Sequence, residues 1–88
     1  MAHIVLTEHT RQEIARRGIS EEAVREVAKN PEQRVSVRPG REVRQSRVAG
    51  PASGKLQLLR LFVDTGGGTD TVVTAYRTSK VRKYWRTE

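Results

Sequence analysis

The chain has 88 residues, 35% hydrophobic and 31% charged, with a net charge of +7; that length suits a single domain over residues 1–88, with no room for a second core. Cys is absent, which excludes a disulfide framework and thiolate zinc sites. No apolar run reaches the length of a membrane span, and "MAHIVLTEHT" lacks the charged start and long apolar stretch of a secretory signal, so no membrane association and a cytoplasmic location are expected.

In chain order, "HIVLT" (His3 to Thr7) is a short apolar lead-in and a candidate first strand. Thr7 then suits an N-cap, with Glu8 in the first turn where the helix dipole favours an anion. "EHTRQEIARRG" reads as a helix of about ten residues, with Arg16 and Arg17 in its last turn and Gly18 as a left-handed stop. Leu6, Thr10 and Ile14 give it a thin apolar stripe. Ser20 caps a second helix, "EEAVREVAKN", whose Ala23, Val24, Val27 and Ala28 form one apolar face. Asn30-Pro31 ends it, because a residue before proline resists helical geometry.

From Arg34 the period changes. "RVSVRP" alternates and reads as a strand, and Pro39-Gly40-Arg41 as a turn. "EVRQSRVAG" alternates weakly, with polar residues on both faces, and reads as a wet or edge strand. "GPASGK" is a loop. "LQLLRLFVD" is apolar on both faces apart from Gln57 and Arg60, as a central strand would be. "TGGGTD" is a hairpin connection to "TVVTAYRT". Thr78 or Ser79 is placed to cap a short helix, "KVRKYW", that docks Val81, Tyr84 and Trp85. The order (β)ααββββ(α) predicts an α+β fold: two N-terminal helices packed on one four-stranded antiparallel sheet, with a short C-terminal helix. Leu59, Leu61, Val63 and Val73 are expected in the core opposite Val24 and Val27, with Arg60 on the other face.

Charge is unevenly spread. Residues 1–33 carry five Lys/Arg and six Asp/Glu, a balance of −1; residues 34–88 carry twelve and four, a balance of +8. A basic half attracts polyanions, and RNA is the expected partner. The plain alternative is a solvated, merely soluble surface.

For chemistry, metal sites are poorly supported: only His3 and His9 exist, and the acids lack ligand spacing. No cofactor is expected. "TGGGTD" joins two strands without a following helix, so it is not a phosphate loop, and no Ser sits on an elbow motif. Metal-free RNA cleavage fits better. Attack of the 2′-hydroxyl on the neighbouring phosphorus needs a base, an acid for the leaving 5′-oxygen, and cations against the growing phosphorane charge. His9 is either an exposed helix-start residue or that acid/base. Arg60, Arg77, Lys80, Arg82 and Lys83 are either solvated cations or phosphate ligands. Tyr76 and Tyr84 can stack a base or donate a hydrogen bond; Trp85 and Val81 read as packing residues.

"TEHTRQEIARRGISEEAVREVAKNPE" resembles the front of a prokaryotic family of small uncharacterised domains, with Thr-x-His, a helix, Arg-Gly-Ile-Ser/Thr, and a second helix ending in Asn/Asp-Pro. "VVTAYRTSKVRKYW" is similar to that family's end, and the layout resembles BrnT-type toxins of the RelE-like ribonuclease class. The resemblance implies a metal-independent endoribonuclease, the toxin of a toxin–antitoxin pair, neutralised by a small acidic antitoxin. His9 matches the family's histidine, Arg17 the arginine before Gly-Ile, and Tyr76 the last-strand tyrosine; Arg77 lies beside a basic position of BrnT-like toxins. Thr10 departs from the family's usual alanine. The expected site is His9, Arg77 and Tyr76 for catalysis, with Arg60, Lys80, Arg82, Lys83 and Tyr84 binding substrate. The alternatives are a non-catalytic nucleic-acid- or protein-binding module on the same scaffold, or an interaction protein whose sheet edge pairs with itself as a homodimer or with a partner.

Overall fold

The computed structural model describes residues 3–50 and 54–87. Strand β1 (His3–Leu6) leads into helix α1 (Glu8–Arg17) and helix α2 (Glu21–Lys29). Strands β2 (Gln33–Arg38), β3 (Arg41–Ala49), β4 (Leu56–Gly66) and β5 (Thr69–Thr78) follow, then the short helix α3 (Val81–Tyr84). Local chemistry sets the helix ends. Thr7 Oγ1 accepts from the Thr10 N–H and Ser20 Oγ from the Ala23 N–H, each at 3.1 Å, satisfying amides that a helix N-terminus leaves unpaired. Gly18 stops α1 at φ 68°, a left-handed conformation that costs glycine little.

The sheet has five strands in the order β1-β5-β4-β3-β2, and it is mixed. This corrects the expected four-stranded antiparallel sheet: β1 joins as a fifth strand, parallel to β5, with His3 opposite Thr69 and Leu6 opposite Val72. The other pairings are antiparallel. Gly67 and Gly68, both at positive φ (59° and 80°), make the two-residue turn between β4 and β5, the geometry that matches strand twist. β3 is interior, not the edge strand its polarity suggests. Its Val43, Arg44, Gln45 and Ser46 are all buried, because the helices cover one face of the sheet and the short C-terminal helix with the residues after it lies over this part of the other. The strand edges belong to β1 and β2.

One face carries α1 and α2. Ile4, Leu6, Ile14, Ile19, Val24, Val27 and Ala28 pack there with Leu59, Leu61, Val63, Val72 and Ala75. Val72 takes the core position expected for Val73, which is only half-buried. A register shift between Phe62 and Val63 moves the β4 partner from Thr74 to Val72, leaving Val73 as the extra residue of a bulge and reversing the alternation. Arg44 is buried on this face at 3% exposure. It donates to Glu42 at 2.6 Å and to the Ala28 carbonyl at 2.7 Å, and pairs with Asp70 at 2.9 Å. It thus ties the end of α2 to the sheet.

The other face is open to α3 alone. Val43 and Leu58 are buried there although they face away from α1 and α2, and α3 lies against β4. Neither Thr78 nor Ser79 caps α3: Lys80 is its N-cap without a side-chain bond, and Thr78 Oγ1 accepts from the Lys80 N–H instead. No helix among the described residues is long and apolar enough to cross a membrane.

Candidate nucleic-acid interface

Alternation along the strands puts Gln33 and Val35 of β2, Gln45 and Arg47 of β3, Arg60 of β4 and Tyr76 of β5 on the open face. The chain turns back after β5, so α3 and the residues after it cross this face towards β2, and Gln33 bonds to Arg86. Arg60 is the centre. Its Nη1 donates to the Tyr76 hydroxyl at 2.5 Å and its Nε to Gln45 Oε1 at 2.9 Å. The Tyr84 ring lies over the guanidinium at 4.0 Å and the Tyr76 ring is 5.7 Å away, a cation–π enclosure that holds the charge in place.

Arg60, Lys83, Tyr84 and Arg86, with Val35, line a cavity of 340 Å³. A second cavity of 330 Å³ lies beside it, bordered by Arg47, Leu56, Val81, Arg82 and Trp85. Arg47 stacks over Trp85 at 4.5 Å, its guanidinium held edge-on by both carboxylate oxygens of Glu32. Those hydrogen bonds from Arg47 hold the Glu32 carboxyl below its ordinary range. Arg60 and Arg47, held in place beside the half-buried rings of Tyr76, Tyr84 and Trp85, suit phosphate groups and unstacked bases.

The expected site residues therefore divide. Arg60, Tyr76, Tyr84 and Lys83 come together, and Arg82 stands at the adjoining cavity. Lys80 is exposed at the start of α3. Arg77 does not join Tyr76, because consecutive strand residues point to opposite faces. It lies on the helix side, donating to the Arg17 carbonyl at 2.7 Å, and borders a 210 Å³ cavity with Gly18, Ile19 and Leu59. His9 is also on the helix side, with its side chain 66% exposed and Nε2 at 3.4 Å from Glu13 Oε2. The sheet separates it from Arg60, so the two do not share one phosphate. Glu13 is buried, and its Oε1 has no hydrogen-bond partner. Among the described residues, no group of three or more His, Cys, Asp or Glu is arranged to hold a metal ion.

Gln33 and Gln45 escaped the sequence reading, and Trp85 entered it as packing alone. Gln45 is fully buried, and its three side-chain partners are 12, 15 and 39 positions away. The available signal was the register Val43-Gln45-Arg47, which shares one face with Arg60 once β3 is taken as interior.

The fold and site define an α+β domain whose sheet carries two helices on one face and a basic, aromatic surface on the other. Comparison with known proteins gives no match: no family model fits the sequence, and no curated protein or solved structure is significantly similar to it.

Proposed function

We propose that this chain binds single-stranded RNA on the open face of its sheet. The observation that carries the reading is Arg60, fixed by Tyr76, Gln45 and Tyr84 at the wall of a cavity it shares with Lys83 and Arg86. Phosphate contacts there release counterions, so affinity falls as salt rises. Titration of single-stranded RNA at several salt concentrations tests it. The expected result is steep salt dependence, with Arg60→Ala weakening binding and His9→Ala leaving it nearly unchanged. Absence of binding at low salt would sink the reading.

A second reading, a RelE/BrnT-like endoribonuclease toxin, draws on one further observation, the 2.5 Å bond between the Arg60 guanidinium and the Tyr76 hydroxyl. That bond leaves the phenol O–H free to donate, so Tyr76 can protonate the leaving 5′-oxygen as the 2′-oxygen attacks phosphorus and gives its proton to solvent water, while Arg60 and Lys83 oppose the growing charge. Chemistry on this face runs without His9 and Arg77. A small acidic antitoxin would complement the basic half of the chain. On this reading Tyr76→Phe lowers cleavage about 100- to 10,000-fold, far more than it weakens binding through the lost bond to Arg60. An inactive parent that still binds RNA leaves the binding module. Induction in a bacterial host, with growth and RNA integrity followed together, separates toxin from module.

A further inference from the structure

The open face contains a polarity relay that ends on the backbone of the C-terminal segment. Arg60 can only donate, so the oxygen of the Gln45 amide must face it, at 2.9 Å. That fixes the Gln45 Nε2 towards Gln33 Oε1 at 2.8 Å and the Tyr84 carbonyl at 3.0 Å. Gln33 is in turn forced to present both amide groups to Arg86: Oε1 accepts the Arg86 N–H at 3.0 Å and Nε2 donates to the Arg86 carbonyl at 2.6 Å. A side-chain amide holding a donor and an acceptor together is a reading head. Here it reads one residue of the chain's own tail, beside the cavity lined by Arg60, Lys83 and Tyr84.

The group it holds has a close chemical counterpart. Within an amino-acid residue, the N–H donor and the C=O acceptor are separated by a pair of bonded carbons. Adenine presents N6–H and N7 across a pair of bonded ring carbons in the same way, and a glutamine amide pairs bidentately with that edge. Guanine offers two acceptors there, and uracil has no such edge. We propose that Gln33 is an adenine-reading residue and that the Arg86 peptide group is a built-in competitor, a strap that adenine-containing single-stranded RNA displaces. The proposal rests on the RNA-binding reading of this face. Tyr84 and Trp85, on the same segment, supply rings for stacking, and Arg60 and Lys83 supply charge for the adjoining phosphate. A strap tethered beside its site lowers the apparent affinity by the fraction of molecules in which it is open.

The test is fluorescence anisotropy on the full chain with single-stranded oligo-A and oligo-U RNA at low salt. The parent is expected to favour oligo-A by roughly 5- to 150-fold, the range for a bidentate amide–adenine pair. Gln33→Glu keeps the acceptor that Gln45 and Arg86 use, replaces the donor with a second acceptor, and adds a negative charge that weakens both oligomers alike, so the ratio should fall to about twofold or less once N7 has no partner. Arg86→Pro removes the N–H that closes the strap, whereas Arg86→Ala removes the same side-chain charge and keeps the N–H. The proline variant should bind oligo-A about threefold or more tightly than the alanine variant. Equal binding of oligo-A and oligo-U by the parent overturns the adenine assignment while leaving RNA binding intact, and needs no variant to fold. Equal affinities of the two Arg86 variants overturn the strap. Binding of neither oligomer overturns the RNA reading itself.

Discussion

At the scale of single residues, buried polar groups hold more of the structure together than their number suggests. Burial works against the charge on Arg44, yet the hydrogen bonds it donates to Glu42 and Asp70 more than offset it, and its pKa stays above the ordinary arginine value. Replacing Arg44 strands Asp70, which is 8% exposed, and the Ala28 carbonyl near the end of α2. Arg44→Met should therefore destabilise the fold by about 3–5 kcal/mol, and adding Asp70→Asn should recover part of the loss; urea unfolding of the three variants measures both effects. Leu61→Ala, in the apolar layer beside Arg44, should cost about 2–5 kcal/mol by leaving a cavity. The same scale marks what the sequence can reveal. Thr7, Gly18, Ser20 and Asn30 were legible because a cap acts on residues within one turn. Arg44 and Gln45 were not, because their partners lie up to 39 positions away and an isolated polar strand residue reads as solvated.

At the scale of elements, α1, α2 and the four later strands were visible in the periodicity, while β1 was only a candidate strand and α3 was read from a cap that Lys80, not Thr78 or Ser79, occupies. What remained hidden was how strands pair. Three apolar residues near the N-terminus do not specify a neighbour, so the parallel docking of β1 on β5 comes from the fold: α1 and α2 return the chain over one face and leave that edge for β1. The bulge in β5 was equally invisible, since alternation alone gives Val73 the inner place. Val72→Ala should lower the unfolding midpoint clearly, and Val73→Ala much less, because only Val72 loses core contacts. Equal losses in parallel melts would mean that the bulge is absent in solution. For the candidate site, the cations were legible as a group and their division between faces was not. Adjacent residues Tyr76 and Arg77 look like one cluster in a sequence and stand on opposite sides of a sheet.

At the scale of the whole molecule, paired charges set how stability responds to pH and salt. Several carboxylates are held below their ordinary values by paired arginines: Glu21 by Arg25, Glu32 by Arg47 and Asp64 by Arg41. A carboxylate whose pKa is lowered on folding adds stability above its unfolded value and loses it as pH falls through the folded one. Stability should thus start to decline near pH 4.5, the ordinary value for Glu21 and Glu32, and fall further through the lower folded values, with Asp64 joining from 3.8. All three pairs are partly exposed, so each contributes little and salt should flatten the decline; melting temperatures across pH 6 to 3 at two salt concentrations check it. The pairing of β1 with β5 also has a consequence for biosynthesis. His3 meets Thr69, so β1 must wait for β5, made some sixty residues later, before it has a neighbour. Such distant pairing slows folding and prevents the sheet from closing while residues 69–72 are still inside the ribosome. Until then the cationic strands emerge without the completed sheet that sets Arg60 against Tyr76, so the open face takes shape only after the last strand has left the ribosome.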